Sequence, residues 1–222
     1  MCRMGFVIGE KKDYSSFLLQ SLLYYGKSQK DGFGFSYLNG SGIITFKTPE
    51  PATKYLSARK INPVVTSSLI FHVRTATSPV NFYNTHPFYS NGYAFAHNGT
   101  LFNYYNLKSS LNYNFQGTTD SEVAFATFLR YGMDFIDVMR NKGVFGRFTF
   151  ILMSPDAIYT YTNTGDMVVY QNNGSFYGTS DVDILGIYNS KPLPKYTVFK
   201  INREGIRPIR SAKLPLVKEG GI

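Results

Sequence analysis

The chain has 222 residues, 43% of them hydrophobic and 17% aromatic, with 18 Tyr, 19 Phe and no Trp. That is ample material for one core and excludes a disordered chain. The formal charge of +9 comes from 23 Lys and Arg, scattered without the basic run of a nucleic-acid arm, so a solvated basic surface is expected rather than nucleic-acid binding.

Residues 2–8 read as a short strand ended by Gly9. Over residues 13–25, Leu18, Leu22 and Tyr25 fall at helical spacing, with Asp13 or Ser15 as cap and Gly26 as stop. Residues 31–37 alternate aromatic with small or polar side chains, Asn39-Gly40 is a hairpin turn, and residues 43–46 return as the partner strand. A short amphipathic segment covers 52–60. Residues 69–74 (LIFHVR) form an apolar run expected of a strand buried on both faces. An irregular stretch, 75–92, is long enough to suggest a functional loop. A strand over 93–97 is broken by Asn98-Gly99, and one or two helical turns fit 103–111. Helices are expected at 120–131, capped by Thr118 or Thr119, and at 134–142. Beyond Arg147 the reading is β: 148–153, 158–162, 167–171, 175–177 and 196–201. The expected organisation is one domain over 1–202 and a surface tail over 203–222, in an α+β layered fold.

The chain's one cysteine, Cys2, excludes an intramolecular disulfide and a cysteine-cluster metal site. If Met1 is removed, Cys2 carries a thiol and a free α-amine on one residue, a nucleophile with a built-in base. Four motifs could complete such a site. Arg74, in His72-Val73-Arg74, is either a clamp for a substrate carboxylate or half of a structural salt bridge. Asn98-Gly99 offers a side-chain and a backbone donor for an oxyanion, or is simply a turn. Asp120 could hold a substrate ammonium or merely complement a helix dipole. His86 sits in the long loop. His72, His86 and His97 lack the spacing of a metal motif, so neither a metal nor a cofactor is expected. No signal-peptide core or run of about 18 apolar residues is present, so a cytoplasmic location with no membrane span is expected.

The order of these motifs (terminal Cys, H-V-R, H-N-G, T-D-S-E) resembles the glutaminase domain of the class II glutamine amidotransferases, N-terminal-nucleophile hydrolases, from Cys2 to about Lys200. The resemblance implies a four-layer αββα sandwich of two antiparallel sheets. It implies Cys2 as nucleophile, Asn98 and Gly99 as oxyanion hole, Arg74 on the glutamine α-carboxylate and Asp120 on its α-ammonium. Thr77 matches a threonine shortly after the arginine, and His86 a loop histidine near the pocket. The start Cys2-Arg3-Met4-Gly5, with Asp31-Gly32-Phe33-Gly34 and Thr85-His86-Pro87-Phe88, is similar to a stand-alone subgroup. The chain, ending at Ile222, leaves no room for a synthase domain, so a separate synthase or acceptor subunit is the partner implied. The residue after the arginine is usually Tyr or Trp and here is Thr75, which removes one aromatic wall. The substrate implied is glutamine or a γ-glutamyl compound; the alternative is a non-catalytic binding or regulatory module that keeps the fold.

Overall fold

The structure, a computed structural model, describes residues 2–59, 61–181 and 190–218. Its strands are β1 (Arg3–Asp13), β2 (Phe33–Asn39), β3 (Gly42–Thr48), β4 (Val65–Val73), β5 (Phe88–Ser90), β6 (Tyr93–Phe102), β7 (Phe145–Met153), β8 (Ile158–Thr162), β9 (Val168–Asn172), β10 (Ser175–Thr179), β11 (Lys191–Pro192), β12 (Thr197–Asn202) and β13 (Gly205–Ser211). Its helices are α1 (Ser15–Tyr25), α2 (Ala52–Ala58), α3 (Tyr105–Lys108), α4 (Asp120–Tyr131) and α5 (Phe135–Asn141). One sheet has the order β11-β9-β10-β1-β4-β2-β3 and the other β13-β12-β8-β7-β6-β5. Every pairing given is antiparallel.

Three apolar layers follow from strand periodicity, because successive side chains leave a strand on opposite faces. Met4, Phe6 and Ile8 of β1 and Ile70 of β4 meet Ala94 and Ala96 of β6 and Ile151 and Met153 of β7 between the sheets. The residues in between point outward. Val7, Leu69, Phe71 and Val73 pack under α1 and α2, while Phe95, Phe148 and Phe150 pack under α4 and α5. The result is the expected order helix, sheet, sheet, helix. In α1 the buried residues Leu18, Ser21, Leu22 and Tyr25 recur at helical spacing. In α4 the Thr119 hydroxyl caps the helix by accepting from the Glu122 N–H at 3.2 Å.

Phe150 shows what the outer layer contributes. It is fully buried and stacks on Phe95 and Tyr161, with ring centroids 5.8 and 5.9 Å away, and Phe135 meets it edge-on at 5.3 Å. Phe150→Ala is expected to lower the unfolding free energy by about 3–5 kcal/mol, read by urea titration, through lost burial and the cavity left behind.

Four local expectations change. The first strand is not ended by Gly9 but runs on to Asp13, pairing again with β4 at Lys12 and Asp13. The segment 75–92 contains the short strand β5, which forms a hairpin with β6. Asn98-Gly99 does not end its strand: β6 continues to Phe102, with Asn98 opposite Thr149 and Gly99 opposite Phe148. Within the expected tail, Gly205–Ser211 is an edge strand paired to β12, and Ala212 and Leu214 are buried in the core of the second sheet. The final residues, 219–222, lie outside the described part.

Candidate active site

The N-terminal strand is tied into the centre of its sheet, which is why this terminus is ordered where termini ordinarily fray. The Met4 N–H donates to Ser180 Oγ at 3.1 Å, the Ser180 N–H donates to Met4 O at 3.0 Å, and Arg3 pairs with Asp181 at 2.7 Å. Register sets the rest. Arg3 lies opposite Val73, so Cys2 falls beside the first residues after β4, Arg74 and Thr75. Its sulfur is held from both sides by one peptide: the thiol donates to Thr75 O and the Thr75 N–H donates to Sγ, each at 3.3 Å. Burial raises the thiol pKa above its ordinary value, against the opposing effect of the Thr75 N–H. The sulfur therefore rests as a thiol at neutral pH and needs a base to become a nucleophile. Met1, whose removal the sequence reading requires, lies outside the described residues.

The Arg74 backbone is fixed by the two residues that lead into β2, through Arg74 N–H to Gly32 O at 2.9 Å and Asp31 N–H to Arg74 O at 3.1 Å. The Asp31 carboxylate then accepts from the Ala76 N–H at 2.8 Å, steadying the next turn. Arg74 is 3% exposed, and among the described residues its guanidinium donates to neutral oxygens: Ser78 Oγ at 2.8 Å, Ser78 O at 3.1 Å and Pro79 O at 3.3 Å. Burial lowers its pKa, with Cys2 and Asp31 opposing. Among the described residues no ion pair contains Arg74, so the structural salt bridge left open by the sequence is not formed.

From the second sheet, β6 brings Asn98 to Cys2. Its amide donates to Cys2 O at 3.0 Å and to Ser180 Oγ at 3.1 Å, and its side chain also acts on the buried His72 ring. Gly99 has φ +138, and a Cβ there would stand 1.9 Å from Arg147 O and 2.9 Å from His97 Nε2. Only glycine fits. Asp120, at the start of α4, accepts from the Leu101 N–H at 2.7 Å and from the Ser121 N–H at 2.9 Å, and no ion pair among the described residues contains it.

These parts meet at a cavity of about 170 Å³ lined by Cys2, Arg74, Thr77, His86, Gly99 and Asp120, together with Thr75, Ser78, Ser121 and Arg147. Of the candidate site residues named from the sequence, Asn98 and His72 are not in its wall; Asn98 reaches the site through its bond to Cys2 O. Thr77 is exposed at the rim. His86 reaches the cavity because β2 has no side chain at Gly34, where a Cβ would stand 2.4 Å from His86 O. Ser180, which joins Cys2's neighbours to Asn98, escaped the sequence reading because it acts only through pairings distant in the chain. Ser121 was legible as part of T-D-S-E, but not as the partner of His97, whose Nδ1 lies 2.9 Å from Ser121 Oγ. The other ring nitrogen, Nε2, lies 3.4 Å from Arg147 O and must carry the proton there, since a carbonyl only accepts.

All three histidines are held neutral by burial. The pKa of His72 falls to about 3, that of His86 well below the ordinary value, and that of His97 also falls despite Asp120 nearby. His72 and His86 stack with centroids 4.3 Å apart; the His97 backbone and the Asn98 side chain oppose the fall at His72 without outweighing burial. A depressed folded-state pKa means that the unfolded chain binds more protons below its own histidine pKa. Stability is therefore expected to be full above about pH 6.5 and to fall below it, by up to about 1.4 kcal/mol per pH unit for each imidazole. Urea unfolding in a pH series measures this slope.

The sequence model of the family described as "Glutamine amidotransferases class-II" matches residues 1–174, well over half of the chain. The chain belongs to the class II glutamine amidotransferases. It is 33% identical over 141 residues to "Putative glutamine amidotransferase YafJ" of Escherichia coli K12, covering 52% of this chain and 55% of that one. It is 38% identical over 115 residues to "Probable glutamine amidotransferase DUG3" of Saccharomyces cerevisiae, covering 45% and 32%. The chain thus spans about half or less of the length of these curated relatives. Among solved structures, glutamine phosphoribosylpyrophosphate amidotransferase of Bacillus subtilis, complexed with ADP and GMP, superposes with a TM-score of 0.74 at 22% identity over 96% of this chain and 50% of that one. A glutamine aminotransferase class-II domain protein of Silicibacter pomeroyi does so with a TM-score of 0.65 at 17% identity over 96% and 100%. These likenesses establish the N-terminal-nucleophile hydrolase fold expected from the motifs. No helix among the described residues is long and apolar enough to cross a membrane.

Proposed function

We propose that the class II amidotransferase chain hydrolyses the γ-amide of glutamine or of a γ-glutamyl compound at Cys2, once Met1 has been removed. The observation that carries this reading is a pair of unmatched charges. The Arg74 guanidinium and the Asp120 carboxylate line the same small cavity as the Cys2 sulfur, and neither has an ionic partner among the described residues. Arg74 is buried, where an unpaired charge is costly, and Asp120 is partly buried; an α-amino acid brings both complements at once, its carboxylate to Arg74 and its ammonium to Asp120. The γ-carbonyl of such a ligand, two methylenes further on, is then left for the sulfur.

In the proposed reaction the Cys2 α-amine takes the thiol proton, directly or through a water. The sulfur attacks the γ-carbonyl, and the oxyanion is met by the Gly99 N–H and by the Asn98 amide. Both N–H groups of that amide now donate, to Cys2 O and to Ser180 Oγ, so one of them turns from its present acceptor to meet the oxyanion. Collapse expels ammonia, or the amine of a γ-glutamyl amide, carrying the proton the α-amine held. Water then hydrolyses the thioester. Ser78, now on the Arg74 guanidinium, is displaced by the substrate carboxylate. Thr75 in place of a large aromatic leaves that side of the cavity open, which favours a γ-glutamyl amide with a bulky leaving group beside glutamine itself. A separate acceptor or synthase subunit would take the released ammonia if it is used.

Steady-state kinetics over a panel of γ-glutamyl amides test the assignment. Arg74→Gln is expected to raise KM by roughly 10- to 100-fold, the value of a charged hydrogen-bonded pair, with a smaller change in kcat. The same variant should not discriminate against a substrate whose α-carboxylate is already blocked as an amide. An unchanged KM for the free acid would contradict the assignment.

A further inference from the structure

A second cavity, of about 580 Å³, lies between β3, the 79–87 loop with β5, and the start of α4, a volume in the range of small-molecule sites. Its walls include Phe82, Tyr83, Phe88, Tyr89 and Tyr113, and Lys47 reaches into it from β3. Phe82, Tyr83 and Tyr89 are about half-exposed, at 51%, 52% and 48%, so ring faces are available around the opening. The Lys47 ammonium sits 4.9 Å above the Phe82 ring and 5.0 Å above the Phe88 ring and donates to Thr85 O at 2.8 Å. No ion pair among the described residues contains it. The nearby carboxylate, Glu122, is 2% exposed and already accepts from the Gln116 and Gly117 N–H groups at 2.8 Å each. Burial lowers the Lys47 pKa to about 8, with Glu122 opposing, so the ammonium is still mostly charged near neutral pH.

A charged amine set among aromatic rings, whose nearby carboxylate is spent on backbone N–H groups and makes no ion pair with it, is half of a binding site. We propose that this cavity binds a small aromatic anion, its planar ring stacked among Phe82, Tyr83 and Tyr89 and its carboxylate or phosphate paired with Lys47. The site is separate from the Cys2 cavity but joined to it through the backbone. Lys47 holds Thr85, and the next residue, His86, lines the Cys2 cavity. An anion that draws the Lys47 ammonium away from Thr85 O therefore acts on the loop that carries His86.

The chain's lack of Trp lets the binding of naphthalene probes be followed by their own fluorescence. Naphthoate and naphthyl phosphate are expected to bind saturably near pH 7, and the tighter of the two identifies the anionic group the site prefers. Neutral naphthol and non-aromatic cyclohexanecarboxylate should bind at least about tenfold more weakly, the value of one charge-assisted contact or one stacked ring. Lys47→Met should weaken the naphthyl anions by about tenfold or more. Phe82→Ala, at a half-exposed ring whose loss the fold tolerates, should weaken them several-fold, in the range of one aromatic contact. Absence of saturable binding to the wild-type protein overturns the proposal. So does binding that both variants leave unchanged.

Discussion

Cys2→Ala is expected to reduce hydrolysis of γ-glutamyl substrates by about four orders of magnitude or more, with substrate affinity little altered. Every feature around the residue is spent on holding its sulfur and backbone. Thr75 clasps Sγ through both N–H and C=O, Asn98 and Ser180 fix the flanking peptides, and the Arg3–Asp181 pair anchors the strand. Removing the sulfur takes away the proposed bond-forming atom and the two Thr75 contacts to it, but none of the supports of the backbone. The affinity set by Arg74 and Asp120 should survive, and isothermal titration of the inactive variant measures it. A form that retains Met1 should show the same loss by a different route, since its α-amine is no longer on Cys2. Comparable turnover by Cys2→Ala would remove the sulfur from the chemistry, and comparable turnover by the Met1-retaining form would remove the α-amine as its base.

Gly99→Ala is expected to do nearly as much damage by displacing backbone rather than deleting a reactive atom. The added methyl would lie 1.9 Å from Arg147 O, on a carbonyl that β7 pairing and the His97 contact hold in place. The φ of +138 is one that an L side chain rarely adopts. Backbone strain and overpacking together cost about 3 kcal/mol or more, and relief comes only by moving the Gly99 N–H. A donor lost from an oxyanion site lowers kcat by about a hundredfold or more. Thermal unfolding together with kcat measures both effects; a variant with wild-type stability and turnover would show that Gly99 is not constrained as described.

The layered fold was legible because strand alternation is a local signal. Met4, Phe6 and Ile8 against Val7, and Phe148 and Phe150 against Ile151, declare two buried faces before any pairing is known. The cavity's membership was legible for a different reason: Cys2, Arg74 and Asp120 each stand at or near the end of an element that a motif marks, and Gly99 belongs to a motif inside β6. What local signals misjudged was Asn98-Gly99. The dipeptide is a strong turn signal on its own, yet β7 runs alongside and the missing Cβ lets Arg147 O approach, so the strand continues. Long-range partners left no signal at all. Ser180 becomes visible only when β10 pairs with β1, and β13 with the buried Leu214 only when the chain's end folds onto β12.

The central claim, that Cys2 attacks the γ-carbonyl of a ligand gripped at its amino-acid end, is tested most directly by a glutamine-analogue electrophile and peptide mass spectrometry. The account requires one label per chain, on a Cys2 that has become the first residue, with labelling suppressed by excess glutamine or γ-glutamyl amide and slowed in Arg74→Gln. Cys2 left unlabelled behind a retained Met1, or labelling indifferent to competing substrate, would contradict it and favour a binding module that keeps the fold without the reaction.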